Sequence, residues 1–166
     1  MAVGKIIFGE AAKEAPRAFR SDPSEAWRAL GRFSMLFLAV GVVDLALALY
    51  PANLGNAEVR FVTLSGTAGG LPILALGAIT WLMAMLALKS RTGILAGTVI
   101  NGVLALAIFI GLSALLDARG AALASAPVQA RQLVQGAVIR SSVSSLFFGA
   151  AHLLAAVTGW VELRRE

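Results

Sequence analysis

Four stretches of this chain are nearly free of charged residues, and each approaches or exceeds the length of a membrane-spanning helix. They cover approximately residues 33–50, 71–88, 92–116 and 141–161. A helix needs roughly 20 apolar residues to cross a hydrocarbon core about 30 Å thick. The composition agrees, because 58% of the residues are hydrophobic and 14% are charged, against roughly 45–50% and 25% in a soluble domain. The sequence therefore predicts an all-α, multi-pass membrane protein.

The connections between these stretches predict how the helices are arranged. The link at residues 89–91 is so short that the second and third helices must form an antiparallel hairpin, which favours a compact four-helix bundle. We expect residues 51–70 to form an outer loop that caps the bundle. Residues 117–140 are alanine-rich with helical periodicity, and Pro127 suits a helix start. The last helix is therefore expected to begin near Pro127 and to extend on the outer side, with 117–140 forming a helical arm whose apolar stripe needs covering.

The positive charges predict the orientation of the bundle. Ten lysines and arginines lie near the chain ends and in the second connection: Lys5, Lys13, Arg17, Arg20, Arg28, Arg32, Lys89, Arg91, Arg164 and Arg165. The other connections hold four: Arg60, Arg119, Arg131 and Arg140. Because basic residues concentrate on the cytoplasmic side, both termini are expected to be cytoplasmic, in a bacterial inner membrane. Attraction to anionic lipid headgroups explains the net charge of +5 better than nucleic-acid binding does, since no groove-reading motif accompanies it.

A capping pattern predicts where the first helix begins. Asp22, Pro23 and Glu25 supply an N-cap acceptor, a proline at the first helical position and a carboxylate at the third. We expect residues 23–166 to form the transmembrane domain. Residues 1–22 are expected to be a cytoplasmic segment that either lies on the membrane surface or is mobile.

Each predicted span carries one polar side chain at a similar depth. Counting along the helices puts Asp44, Thr80, Asn101 and His152 about 12–16 Å from the cytoplasmic ends of the four spans. An ionisable group at this depth has to face protein, water or a partner, so Asp44 and His152 are expected to point inward, where they can meet. Three interpretations stay open: hydrogen bonds that join helices, a contact between His152 and a ligand, pigment or haem, and proton movement by Asp44 and His152.

The residue inventory excludes several kinds of chemistry. With no cysteine and one histidine, the chain cannot supply a thiolate cluster or a three-ligand metal shell. Serines cluster at residues 141–145, but His152, the only candidate base, lies two turns deeper on the same helix. The sequence has no phosphate-binding loop, dinucleotide-binding turn or paired-carboxylate motif. We therefore expect no enzymatic activity and no metal site, and the one cofactor contact that stays open is a pigment or haem at His152.

Small residues recur at intervals of four on the last two spans. They are Gly93 and Gly97 on the third span, and Ser141, Ser145, Gly149, Ala151, Ala155 and Gly159 on the fourth. Such ridges let helix backbones approach closely. They predict close packing, either between helices of this chain or against another subunit.

Residues 49–77 carry a family resemblance. The segments concerned are Leu49-Tyr50-Pro51, Asn56-Ala57-Glu58-Val59-Arg60-Phe61 and Leu71-Pro72-Ile73-Leu74-Ala75-Leu76-Gly77. Together with the order of the spans and the long polar connection before the last one, they resemble the small four-helix membrane proteins associated with hormogonium polysaccharide secretion. The chain departs from that family at residues 56–58, which lack its proline and tryptophan. The resemblance implies a non-enzymatic membrane component.

These features favour one function and leave one alternative. The small size, the small-residue ridges and the lack of a convergent catalytic set favour a non-catalytic accessory or scaffolding subunit of a larger inner-membrane complex, in contact with lipids and other membrane subunits. The alternative is a small proton-linked transporter or channel that uses Asp44 and His152. A transporter needs a hydrated cavity near mid-membrane, whereas an accessory subunit is expected to be tightly packed there.

Overall fold

The computed structural model describes residues 22–50 and 55–165, and five α-helices account for most of them. The helices are α1 (Pro23–Leu49), α2 (Ala57–Thr67), α3 (Leu71–Ala87), α4 (Arg91–Ser125) and α5 (Arg131–Arg165), the last preceded by a 3-10 turn at Val128–Ala130. Helices α1 and α4, and α5 with its preceding turn, are long and apolar enough to cross a membrane. Helices α2 and α3 together provide a fourth candidate span, bent by 49°. The predicted all-α class is confirmed, and the expectations for residues 1–21 lie outside the described chain.

Helix α1 begins at Pro23, where the capping pattern places its start. The Asp22 carboxylate accepts hydrogen bonds from the Ser24 backbone N–H at 3.1 Å and from the Ser24 hydroxyl at 2.8 Å. These bonds satisfy donors that would otherwise lack a partner in the first helical turn. They also lower the pKa of Asp22, the backbone bond more than the hydroxyl bond.

The Asp22 cap makes the start of α1 sensitive to acid. Because the folded pKa of Asp22 is depressed, the cap stabilises the helix above the unfolded pKa of about 3.9 and is lost as the pH falls through the folded value. By NMR in detergent micelles, the Ser24 amide proton shift should titrate below about pH 4. The Asp22→Asn variant, which keeps an acceptor oxygen without a titrating carboxyl, should show no such titration. An equal titration in both proteins would contradict this assignment.

A short helix occupies most of the segment that was expected to be a loop. Asn56 caps α2, because its side-chain oxygen accepts from the backbone N–H groups of Glu58 at 2.9 Å and Val59 at 3.2 Å. The expectation of a loop over residues 51–70 is wrong for Ala57–Thr67, whereas residues 68–70 form a turn and residues 51–54 lie outside the described chain. The missed signal is this Asn56 cap with Glu58 in the first turn, which stabilises a helix start even in a glycine-rich and asparagine-rich stretch.

Helices α3 and α4 form the expected antiparallel hairpin. The turn closes through Lys89, whose φ of 52° is left-handed, and through the bond from the Ser90 N–H to the Met85 carbonyl at 3.0 Å. This is the geometry of a Schellman cap, which usually employs glycine at the left-handed position. Beyond the turn, Gly93 faces Met85 and Gly97 faces Leu82, so this small-residue ridge packs α4 against α3.

The most extensive helix contact lies between α4 and α5. The buried Gly149 admits the ring of Phe109, and the buried Gly159 lies against Thr98. Two further ridge residues, Ala151 and Ala155, are half-buried and line a groove shared with α3. The ridge glycines therefore pack helices within the chain, whereas Ala151 and Ala155 leave a groove.

Helix α1 lies at an edge of the structure. Its most extensive contacts are with α3 and, to a smaller extent, with α2. Gly41 of α1 lies against Leu74, and Gly77 of α3 lies against the Leu38 backbone. Most other α1 side chains, including Phe33 and Val43, are exposed and apolar. The register between α1 and α3 is therefore set by glycines that admit large neighbours.

The outer parts of α4 and α5 form an arm that α2 covers. A separate core joins the three helices and consists of Phe61, Leu115, Ala118, Ala122 and Val138. The Ser141 hydroxyl donates to the Ser65 carbonyl at 3.3 Å, and the Ser144 hydroxyl donates to the Ala68 carbonyl at 3.4 Å. The serine cluster therefore binds the end of α2 to α5. Val134, Ala137 and Val138 of the arm's apolar stripe pack within the chain, whereas Val128 and Leu133 stay exposed.

Candidate functional site

Asn101 and His152 form the polar centre of the described chain. Both side chains are 0% exposed. The Asn101 side-chain oxygen and His152 Nδ1 lie 2.7 Å apart, which joins α4 to α5. The Asn101 amide nitrogen donates to the Ala78 carbonyl on α3 at 3.2 Å and to the Gly97 carbonyl on its own helix at 2.8 Å. One amide side chain therefore connects three helices.

These bonds fix the proton on the imidazole. Because two carbonyls accept from the Asn101 nitrogen, the atom that faces His152 is the Asn101 oxygen, which can only accept. His152 Nδ1 must therefore carry hydrogen and donate, an assignment that follows from the hydrogen-bond network. In the neutral ring this leaves Nε2 with a lone pair, and Nε2 has no partner among residues 22–50 and 55–165.

The free Nε2 lone pair is chemically suited to bind a metal or a tetrapyrrole, but the surrounding helices enclose it. His152 is fully buried where α5 meets α4. A pigment or haem would reach Nε2 only if these helices separated. Within the described ranges, no three His, Asp or Glu side chains come together as a metal shell.

The expected meeting of Asp44 and His152 does not occur. Asp44 is exposed on α1, and its carboxylate lies beside Gly70, where an added methyl group would be 2.8 Å from an Asp44 oxygen. The Asn101 amide bonds to Ala78 on α3, and the neighbouring Gly77 lies against Leu38 on α1, so the polar centre lies at the level of Leu38. Asp44 follows Leu38 by six residues, which is about 9 Å along α1. The depth count misplaced Asp44 because it took Phe33 as the membrane boundary, whereas the contact between Gly77 and Leu38 sets the level of α1 relative to α3.

Thr80 also takes no part in the polar centre. It lies on α3 only two residues from Ala78, yet its side chain is half-buried and makes no hydrogen bond within the described chain. Of the four polar residues predicted to share one level, the structure brings together Asn101 and His152.

An apolar cavity of about 150 Å³ lies on the arm side of the polar centre. The helices α1, α2, α3 and α4 enclose it with Leu45, Leu49, Leu64, Ala68, Leu71, Leu74, Leu104, Ala107, Ile108, Gly111 and Leu115, and its polar side chains are Thr67 and Ser145. None of these lining residues carries a charge. The cavity therefore adds no ionisable group beside the polar centre.

No protein-family model, curated protein or solved structure matches this chain. The resemblance of residues 49–77 to the hormogonium-associated family therefore stays a prediction.

Proposed function

We propose that this protein is a non-catalytic accessory or scaffolding subunit of a larger complex in a bacterial inner membrane. The polar centre is the observation that carries the proposal. Asn101 and His152 bond to each other and to backbone carbonyls, so they fix the register of three helices. Proton or solute movement would instead require ionisable groups along a hydrated path. The apolar lining of the neighbouring cavity is consistent with a structural centre.

We propose the orientation from the charges at the two ends of the helices. The register of the contacts brings Arg28, Lys89, Arg91 and the Arg164–Arg165 pair to one end, here called the basic end. Arg60, Arg119, Arg131 and Arg140 belong to the opposite half of the structure. The positive-inside rule makes the basic end cytoplasmic. In this orientation α1, the bent α2–α3 pair, α4 and α5 form a four-helix bundle whose arm stands outside.

The tip of the arm is the surface best suited to a partner subunit. Val128 and Leu133 are 73% and 72% exposed. Leu133 lies about 46 Å along α5 from Arg164, beyond a hydrocarbon core of about 30 Å. Lipid tails therefore cannot cover these two side chains, whereas a partner subunit can. Exposed apolar side chains at this distance favour an interaction role.

Substitution at the arm tip tests this proposal. In the native complex extracted with mild detergent, Leu133→Glu should lower the amount of a stoichiometric co-purifying subunit about tenfold, the loss expected for a buried interface side chain worth roughly 1.4 kcal/mol. Gln135→Glu is the matched control, because it adds the same charge two residues away at an already polar, exposed position. Quantitative mass spectrometry of the purified complexes measures the difference.

A lone oligomer of this chain would contradict the accessory role. In that case the unpartnered Nε2 of His152 becomes the observation that favours the alternative, a small proton-linked transporter or channel. Proteoliposomes that contain the purified chain would then show a proton flux that His152→Leu abolishes and Gln135→Glu leaves unchanged. For an accessory subunit we expect no flux above that of protein-free liposomes.

A further inference from the structure

A groove of about 430 Å³ lies at the basic end, between the start of α4 and the end of α5. Arg91, Thr92 and Leu95 line it from α4, and Trp160, Leu163 and Arg164 line it from α5. The accessory role proposed above makes no use of this groove.

The groove is positively charged, and no carboxylate among the described residues pairs with its arginines. The Arg164 guanidinium lies 4.8 Å from the centre of the Trp160 ring, a cation–π contact that uses the face of the guanidinium and not its edge N–H groups. The ion pair within residues 22–50 and 55–165 is Arg165 with Glu162, at 3.5 Å, so it involves neither groove arginine. Arg91 and Arg164 therefore offer two guanidiniums to an anion.

The start of α4 adds to the positive character of the groove. Ser90 caps the helix by accepting from the Gly93 N–H at 3.4 Å. The backbone N–H groups of Arg91 and Thr92 precede the first intrahelical bond, and the helix dipole places partial positive charge there. An anion between the two arginines would lie at this favourable end of the dipole.

The groove becomes apolar toward the centre of the helices. Leu95 lies one turn inside Arg91 and is 51% exposed, and Trp160 lies one turn inside Arg164 and is 50% exposed. An indole with one apolar and one polar edge is favoured at the depth of lipid headgroups. A ligand that suits this surface has an anionic head beside the arginines and a hydrocarbon part along Leu95 and Trp160.

We propose that this groove is a binding site for an anionic phospholipid, whose phosphate is held by Arg91 and Arg164. The acyl chains then lie along Leu95 and Trp160. Arginine suits this role because its planar fork of donors matches phosphate oxygens. Basic pockets between transmembrane helices at a cytoplasmic surface are known to hold anionic lipid headgroups.

Quenching of Trp160 fluorescence tests the site directly. Trp160 is made the sole tryptophan by Trp27→Phe and Trp81→Phe, and lipids with brominated acyl chains are added to the protein in detergent. In the single-tryptophan protein that keeps both arginines, phosphatidylglycerol should half-quench Trp160 at a lipid fraction about 20- to 30-fold lower than in the same protein with Arg91→Gln/Arg164→Gln. This difference corresponds to roughly fivefold per arginine. Phosphatidylcholine should require the higher fraction in both proteins.

The matched control removes the same charge outside the groove. Arg28→Gln/Lys89→Gln lies at the basic end but lines no part of the groove, and it should shift the phosphatidylglycerol curve less than about twofold. An equal shift in this control would overturn the proposal in favour of general charge attraction. Equal quenching by phosphatidylcholine would overturn it in favour of a plain hydrocarbon contact.

Two further measurements separate binding from folding and from simple anion capture. If the glutamine pair loses helical circular dichroism, Arg91→Lys/Arg164→Lys replaces it and should keep a weakened preference for phosphatidylglycerol. If this lysine variant folds but no longer prefers phosphatidylglycerol to phosphatidylcholine, the result would contradict a headgroup site. Inorganic phosphate should not displace brominated phosphatidylglycerol, and displacement at equal concentration would show a free-anion site instead.

Discussion

Replacing Gly77 with alanine should detach α1 from α3. A methyl group at Gly77 would lie 2.5 Å from the Leu38 backbone nitrogen and 2.8 Å from the Leu38 Cα. Both atoms belong to a helix backbone, so the clash cannot be relieved by a side-chain rotation. Overpacking of this kind costs typically 1–3 kcal/mol, and we expect the upper end, about 3 kcal/mol. Because α3 provides the most extensive contacts of α1, the rest of the chain should stay folded.

A cysteine probe measures this detachment. The chain has no cysteine, so Ser34→Cys places a single thiol at a position that is 2% exposed on the α1 face toward α3. Maleimide labelling in detergent should accelerate roughly 100-fold when Gly77→Ala is added, as expected for opening made about 3 kcal/mol easier. Gly111→Ala is the control, since a methyl group there meets no atom within 4 Å. Unchanged labelling in Gly77→Ala would contradict the close approach of α1 and α3.

Removing the Asn101 amide should be the second large effect. Asn101→Leu keeps the branching of the side chain but leaves the Nδ1–H of His152 buried without an acceptor, in addition to losing the bond to the Ala78 carbonyl. An orphaned buried donor costs about 1–3 kcal/mol. We therefore expect a loss of about 2–3 kcal/mol in the free energy of unfolding, measured by denaturation in mixed SDS micelles.

A double-mutant cycle isolates the bond between the two side chains. Asn101→Leu/His152→Leu removes both polar groups, so neither is left buried without a partner. Its loss in the free energy of unfolding should therefore be about 1–2 kcal/mol smaller than the sum of the single losses. Thr80→Val is the matched control, because Thr80 lies near the same level without a hydrogen bond in the described chain, and its effect should stay below about 0.5 kcal/mol. Strict additivity of the Asn101 and His152 substitutions would rule out the coupling.

Features that depend on local spacing could be predicted from the sequence. The short link at residues 89–91 dictates a hairpin, and that hairpin is present. Pro127 predicts the start of the last helical segment, and a 3-10 turn begins at Val128 before α5. The four-residue spacing of Gly93 and Gly97 predicts close packing, which each glycine makes against an α3 side chain. In each case the determining residues are within one or two helical turns of each other.

Features that depend on register could not be predicted in this way. A depth count treats each helix separately, whereas the level of Asp44 relative to His152 is set by two successive helix contacts. Gly77 against Leu38 fixes α1 on α3, and the Asn101 bond to Ala78 fixes α3 on α4. The sequence contains these glycines but does not state which neighbour each one admits. The sequence predicts Asn101 at a similar depth to His152, but only the packed register of the helices makes Asn101 the hydrogen-bond partner of His152.

The central place of α3 has a consequence for biosynthesis. Helix α3 contacts α1, α4 and α5. Each of the helices α3, α4 and α5 also has an extensive contact with a helix that precedes it in the chain. As the polypeptide leaves the ribosome from its N-terminus, α3 therefore meets α1 already inserted, α4 meets α3, and α5 meets α4. The Asn101 amide can bond to Ala78 before His152 has been synthesised, and the imidazole then closes a site that is already oriented. Insertion and assembly can thus proceed in the same order, one helix at a time.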